Sequence, residues 1–213
     1  MTRTKGPAKV RLIEAPESDW EPGGPVTSKQ EAEVTLPRAE LERIWNPEYL
    51  ERLARTYWRW LSKISLGLLR IVYAPDSRRI VFLTPPLTLL RFRAPEYEIE
   101  PDSGSVTWRI ERGLLVAPPG RDKGWLRITV TRPDDLSGDE VTAHVSSEVG
   151  NFYPALGGWG WFAKIGAWIY RFTQLRIHVI VTNGFLRSLA RLDLVPSKVG
   201  QLRSEIVSPR GER

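Results

Sequence analysis

Cysteine is absent from this sequence of 213 residues, and histidine occurs only twice. The absence of cysteine excludes disulfide bonds, thiol nucleophiles, CxxC redox motifs and cysteine-based zinc sites. His144 and His178 are too few for a histidine-rich metal site. We therefore predict no metal ion and no other cofactor.

Long hydrophobic runs are also absent. A signal peptide needs an apolar core of roughly 7–15 residues, and a membrane-spanning helix needs about 20 apolar residues. The N-terminal segment has no such core, and the longest stretch without Asp, Glu, Lys or Arg, residues 149–163, is interrupted by Pro154 and four glycines. We expect a cytoplasmic protein that does not cross a membrane, although it could bind peripherally to one.

The remaining composition is that of a globular domain. Hydrophobic residues make up 41% of the chain and charged residues 26%, which is typical of folded rather than disordered proteins. Polar segments that contain proline and glycine predict flexible tails at residues 1–30 and 195–213, with a short edge strand at 9–14. The folded domain is accordingly predicted to span residues 31–194.

Positive charge is unevenly distributed along the chain, whose net charge is +6. Residues 31–150 carry 17 basic and 18 acidic side chains, whereas residues 151–194 carry 5 and 1, and residues 195–213 carry 4 and 2. Nine of the 21 aromatic residues also lie between positions 151 and 194. The excess positive charge is thus predicted to belong to the C-terminal part of the chain.

Hydrophobic periodicity predicts two helices followed by a sheet. A strand at 31–36 precedes a helix at 38–45 and a second helix that starts after the capping residue Asn46 and runs through Ser62. Apolar residues recur at three- and four-residue spacings in the second helix, which predicts one apolar stripe: Tyr49, Leu50, Leu53, Tyr57, Trp60, Leu61 and Ile64. Between residues 68 and 149 the period changes to two, and three of the strands alternate cleanly: 96–100, 105–112 and 125–132. Such alternation predicts an antiparallel sheet with one buried face and one solvent-exposed face.

The longest apolar stripe lies near the C-terminus. Its members alternate four- and three-residue steps, which predicts one helix of about thirty residues with a single buried face. They are Trp161, Ile165, Trp168, Phe172, Leu175, Val179, Thr182, Leu186 and Leu189. The Asn183-Gly184 pair supports the alternative, in which the helix is kinked or ends at that point.

The predicted order is therefore one strand, two helices, a run of antiparallel strands and one long helix. Together with the opening segment EVTLPRAELERIW at residues 33–45, this order resembles the helix-grip fold of the START-like superfamily. This superfamily is also called SRPBCC or Bet v 1-like, and it includes polyketide cyclase-type proteins. The resemblance covers residues 31–194 and implies an α+β fold. In that fold a curved antiparallel sheet wraps around the long C-terminal helix, with an apolar cavity between them.

The leading hypothesis is a START-like module that binds an apolar small molecule or lipid in this cavity. Non-enzymatic binding is favoured because the inward-facing positions of the cleanly alternating strands hold no pair of carboxylates for acid–base catalysis. The candidate lining residues have inward phase on the strands or the final helix: Phe92, Tyr97, Trp108, Ile110, Leu126, Ile128, Trp168, Phe172 and Leu175. Packing of the same residues as ordinary core is the alternative. A cyclase- or hydrolase-like enzyme built on the same cavity is a further hypothesis.

The segment 151–172 suggests a function of another class. Trp159, Lys164, Tyr170 and Arg171 combine amphipathic rings with cations, a combination that suits the water–lipid interface. The corresponding hypothesis is a peripheral membrane or protein-interaction module with an anionic membrane surface as its partner. No nucleic-acid partner is expected, because the exposed face of the sheet carries mixed charges.

The remaining polar groups are interpreted as ordinary surface features. His144 has the same strand phase as Glu148, on the exposed face, and His178 flanks the stripe of the final helix. Cross-strand charge pairs are predicted on the exposed face. The basic members are Arg109, Arg112 and Arg127, and the acidic members are Glu96, Glu98 and Glu100.

Overall fold

The computed structural model describes residues 9–13, 24–133 and 137–155. Within these ranges the chain forms two α-helices, one 3-10 helix and nine strands. The helices are α1 (Arg38–Ile44), α2 (Pro47–Ile64) and the 3-10 helix at Pro118–Gly120. The strands are β1 (Lys9–Ile13), β2 (Val26–Pro37), β3 (Leu69–Tyr73), β4 (Ser77–Phe82), β5 (Thr88–Arg93), β6 (Glu96–Ile99), β7 (Ser103–Arg112), β8 (Trp125–Thr131) and β9 (Glu140–Phe152).

The strands form one open sheet in which every neighbouring pair is antiparallel. The order across the sheet is β1-β2-β9-β8-β7-β5-β4-β3, and β6 pairs with β7 next to the end of β5. The predicted α+β class with an antiparallel sheet and two preceding helices is therefore confirmed. The long helix around which this sheet was predicted to wrap lies outside the described residues.

One face of the sheet, which we call the inner face, is apolar and buried. In the register of β7 and β8, Trp108 lies opposite Leu126 and Val106 lies opposite Ile128. The strand phases predicted for this face are thus confirmed. Its buried members on the flanking strands include Ala32, Val34 and Leu36 on β2 and Val141, Ala143 and Val145 on β9.

Helix α2 packs on the inner face over β5 and β7. The ring of Trp58 lies 5.0 Å from the ring of Trp108 in an edge-on arrangement and 5.4 Å from that of Phe92. Aromatic pairs favour such tilted and edge-on geometries. Trp58 does not belong to the three-and-four-residue stripe predicted for this helix, yet it is one of its most deeply buried residues. The buried face of α2 is therefore wider than the stripe.

The sheet extends further toward the N-terminus than the periodicity indicated. Strand β2 begins at Val26, which pairs with Phe152 at the end of β9. The short edge strand predicted at 9–14 is confirmed as β1, which pairs with β2 along its whole length, from Lys9 opposite Thr35 to Ile13 opposite Glu31. Residues 1–30, which were predicted as a tail, thus include β1 and the start of β2. Neither α1 nor α2 has the length and hydropathy of a membrane-spanning helix.

Candidate functional site

The predicted lining residues of the sheet lie together on the inner face. Five of them are buried in the core: Phe92, Trp108, Ile110, Leu126 and Ile128. Tyr97 is half-buried on β6, directly opposite Val106 of β7. The other three, Trp168, Phe172 and Leu175, lie outside the described residues, and a ligand-binding role for all nine remains a prediction.

A polar spot interrupts this apolar face at β9. The Tyr57 side chain of α2 lies beside Ser147, and both residues are buried. Among the described residues, the Ser147 hydroxyl has no partner at hydrogen-bonding distance and angle. In the register of the sheet, Ser147 lies opposite Gln30 of β2 on one side and Ile128 of β8 on the other. Because cross-strand partners share a face of the sheet, we call Tyr57, Ser147 and Gln30 together the polar spot.

The electrostatics of the polar spot favour neutral groups. Burial raises the pKa of Tyr57 to about 12, and the nearby Ser147 hydroxyl opposes this shift only in part. Desolvation disfavours the phenolate because a charge loses its hydration in an apolar interior. Tyr57 is therefore a neutral hydroxyl at physiological pH, beside a second hydroxyl and an amide.

No sequence pattern predicted the polar spot as a whole, although the strand phase of β9 already placed Ser147 on the inner face. Val141, Ala143 and Val145 have inward phase on β9, and the same phase continued by two residues reaches Ser147. Tyr57 belongs to the predicted stripe of α2. The contact between them depends on how the helix crosses the sheet, which no local pattern specifies.

The opposite face of the sheet, which we call the outer face, is polar as predicted. His144 is exposed and lies opposite Thr131 of β8 and Glu33 of β2. The interpretation of His144 as an exposed residue is therefore confirmed. His178 lies outside the described residues.

The charge pairs predicted for the outer face are only partly correct. Arg109 pairs with Glu96, with 3.3 Å between Nε and Oε2. Arg127 instead donates a hydrogen bond to the Thr107 hydroxyl and stacks on Trp125. The remaining members also differ from the prediction: Arg112 pairs with Glu111, Glu98 accepts from Ser105, and Glu100 accepts from Ser103. Strand phase predicted the outer face correctly for Arg109 and Arg127, whereas Arg112 shares the phase of Trp108 and Ile110 at the end of β7. Register decided the partners.

The predicted membrane or partner surface and possible metal sites remain to be compared with the described residues. The predicted membrane or partner surface, Trp159, Lys164, Tyr170 and Arg171, lies outside the described residues. Within the described ranges, His, Asp and Glu side chains form no group of three that could hold a metal ion.

No protein-family model matches the sequence, and no curated protein matches it either. Solved structures with a similar arrangement include three proteins. An uncharacterised protein from Rhizobium leguminosarum is 12% identical, with 78% of this chain and 98% of that chain covered and a TM-score of 0.31. Human STARD10, which has a START domain, is 6% identical, with coverages of 83% and 75% and a TM-score of 0.30.

CalU16 from Micromonospora echinospora, which has a polyketide cyclase-like fold, is 9% identical, with coverages of 87% and 94% and a TM-score of 0.26. STARD10 and CalU16 are of the kind that the helix-grip resemblance names. At these TM-scores, however, none of the three likenesses carries an argument about fold or function. The architecture of this chain is argued from its own strand order and register.

Proposed function

We propose that this protein binds an apolar small molecule or lipid against the inner face of its sheet, between the sheet and the C-terminal segment 161–189. The observation that carries the proposal is the polar spot on an otherwise apolar face. Ligand sites are typically apolar surfaces with a small number of polar groups that orient the ligand. Tyr57, Ser147 and Gln30 would supply these groups.

The position of α2 limits where such a ligand would lie. Trp58 already covers Phe92 and Trp108 over β5 and β7. The ligand would therefore lie nearer β8, β9 and β2, with Ile128 beneath its apolar part and Ser147 at its polar end. Among the nine candidate lining residues, we expect Ile128 and Leu126 to contact it, whereas Phe92 and Trp108 serve as core.

The neutrality of the polar spot bears on the chemistry of the ligand. An ionised group buried without a counter-charge is strongly disfavoured, and none of Tyr57, Ser147 and Gln30 is charged at neutral pH. We therefore expect the end of the ligand at this spot to be a hydroxyl, carbonyl or ester group. Binding, with no chemical step, is the function that these residues support.

The test is native mass spectrometry of the full chain purified from its own host. We expect a retained adduct of lipid-like mass, and we expect Ser147→Ala to reduce its occupancy. Ser146→Ala is the matched control, because Ser146 is the neighbouring residue on the outer face. Thermal melts of both variants check that the fold is retained.

Two results would contradict the proposal. One is the absence of any adduct together with no binding of the methyl ester of a fluorescent polyene fatty acid, a probe with a neutral polar end, added to the purified chain. The other is an equal loss of adduct in Ser147→Ala and Ser146→Ala, which would show that the inner face has no special part in retention.

A further inference from the structure

Two leucines adopt a backbone conformation that leucine normally avoids. Four residues other than glycine have positive φ in the described structure, and two of them, Asp122 and Asn151, are of types that tolerate it. The other two are Leu66, with φ of 53°, and Leu83, with φ of 60°. Both leucines are also exposed, at 90% and 46% of their surface.

Leu66 occupies the C-terminal cap of α2. The Gly67 N–H donates to Ser62 O at 2.9 Å, and the Leu66 N–H donates to Lys63 O at 3.1 Å. This is the Schellman pattern, in which the left-handed position is usually glycine. Leucine there gains neither favourable backbone geometry nor burial, so folding does not explain its presence.

Leu83 is hydrogen-bonded to the segment that follows Leu66. The Leu83 N–H donates to Leu68 O at 2.8 Å, which joins the turn after β4 to the segment between α2 and β3. Leu68 is exposed as well, and so are Pro85 and Pro86 in the same turn. We call Leu66, Leu68, Leu83, Pro85 and Pro86 the apolar tip.

The apolar tip lies in the most basic part of the described chain. Residues 52–95 contain one acidic residue, Asp76, and nine basic residues. The basic residues are Arg52, Arg55, Arg59, Lys63, Arg70, Arg78, Arg79, Arg91 and Arg93. The near-neutral balance of residues 31–150 conceals this local excess.

Three of these cations lie within seven residues of Leu66 along the chain. Arg59 and Lys63 are exposed on the last two turns of α2, and Arg70 is exposed on β3, one residue after Leu69. None of the three has an acidic partner among the residues that the structure describes. Lys63 stacks on Trp60, with its Nζ 4.9 Å from the ring centre.

We propose that the apolar tip inserts into the surface of an anionic lipid bilayer, with Arg59, Lys63 and Arg70 contacting the headgroups. Exposed leucines favour transfer from water into the acyl boundary, and nearby cations are attracted to anionic lipids. This surface is distinct from the segment 151–172. It does not depend on the ligand proposed above.

A lipid surface fits these observations better than a protein partner does. The tip consists of five apolar residues in two turns, whereas a specific protein interface usually buries about 800 Å² on each partner. Insertion of a few apolar side chains among cations needs no such area. The occupant is therefore inferred to be a bilayer that contains acidic lipids.

The test measures co-sedimentation of the full chain with two kinds of vesicle, phosphatidylcholine mixed with phosphatidylglycerol and phosphatidylcholine alone. Wild type should bind the mixed vesicles more strongly, and less so at high salt because screening weakens headgroup attraction. The double variant Leu66→Asn/Leu83→Asn should lower the partition coefficient by about tenfold or more, since each lost leucine removes buried apolar area.

The asparagines are chosen to preserve the fold, because asparagine tolerates positive φ. The matched control is Ile99→Asn, which removes an apolar side chain of similar exposure, 42%, at the turn between β6 and β7. Lys63→Gln/Arg70→Gln provides a second variant at fully accessible positions. It should abolish the preference for acidic lipid and leave the thermal melt unchanged.

Several outcomes would overturn the proposal. Wild type could remain in the supernatant with mixed vesicles at low salt, or the double leucine variant could bind as wild type does. An equal loss in Ile99→Asn would also contradict a specific tip. If only Trp159→Ala and Lys164→Glu/Arg171→Glu lose binding, the contact surface is the segment 151–172 instead. The double leucine variant should still retain the lipid-like adduct in native mass spectrometry. A loss of vesicle binding without a loss of adduct therefore tests the membrane proposal separately from the ligand proposal.

Discussion

Two consecutive stretches of the chain share one sheet but differ in their balance of charge, although Arg55, Arg91 and Arg93 of the first stretch also have acidic partners. Residues 52–95 contain nine basic residues and one acidic residue, whereas residues 96–150 contain six basic and 11 acidic residues. In the second stretch, Arg109 pairs with Glu96 and Arg132 pairs with Asp102. In the first, Arg59 and Arg70 are exposed and have no acidic partner in the described structure.

The difference separates two roles of surface charge. Exposed pairs such as Arg109 with Glu96 contribute little to stability, typically about 0–1 kcal/mol. Clustered cations repel one another, which disfavours the compact state, but they attract partners of the opposite sign. The basic stretch also carries the two exposed leucines with positive φ. Repulsion between the cations and the left-handed backbone of Leu66 and Leu83 both disfavour folding. This stretch is therefore more consistent with a role in binding than with a role in stability.

The largest expected effect comes from breaking the contact that joins the two stretches. Trp58 belongs to the basic stretch and packs on Trp108 in the acidic one. Trp58→Ala should lower the free energy of unfolding by about 3–5 kcal/mol, because removing a buried aromatic ring leaves a cavity. Urea denaturation measures this change. Trp60→Ala on the same helix, where the ring is only half-buried, should have a clearly smaller effect, and equal midpoints would contradict the described core.

A smaller effect concerns the second contact between the stretches, from Tyr57 to Ser147. Burial raises the pKa of Tyr57 from 10.0 to about 12. A group that holds its proton more tightly when folded adds full stability below its unfolded pKa and loses that stability as the pH rises through the folded value. The stability of wild type should therefore fall between about pH 10 and pH 12, by on the order of 2–3 kcal/mol.

Tyr57→Phe should lack this component, because phenylalanine does not ionise. The measurement is urea denaturation of both proteins at several pH values across that range. The pKa of Tyr73 is also raised, mainly by partial burial, but Tyr73 is present in both proteins. Parallel pH profiles would show that Tyr57 is not buried as a neutral hydroxyl.

The smallest expected effect compares one exposed apolar residue from each stretch. Leu66→Asn should raise the free energy of unfolding by about 1 kcal/mol, because a left-handed conformation disfavours leucine by roughly 1–2 kcal/mol and suits asparagine better. Ile99→Asn should give no gain, since β-branched residues favour strands. Thermal melts of the two variants sharpen the contrast, and a lower melting temperature for Leu66→Asn would argue against the strained cap.

Much of the fold could be predicted because periodicity is local. Helix α1 begins at Arg38 and α2 at Pro47, as the prolines indicated. Strands β6, β7 and β8 lie within two residues of their predicted bounds, whereas β2 begins five residues earlier than predicted. The inward phase of Val106, Trp108 and Ile128 was also correct. The basic excess at residues 52–95 was equally available, but averaging over residues 31–150 concealed it.

Local patterns therefore specify the type, order and facing of the helices and strands, because alternation and capping depend on neighbours in the chain. Tertiary structure alone decided that Trp58 meets Trp108, that Tyr57 meets Ser147, and that the turn holding Leu83 lies against Leu68. Each of these contacts joins residues distant in sequence. Their geometry depends on strand register and on the angle at which α2 crosses the sheet, and both are set by packing of the whole core rather than by any local pattern.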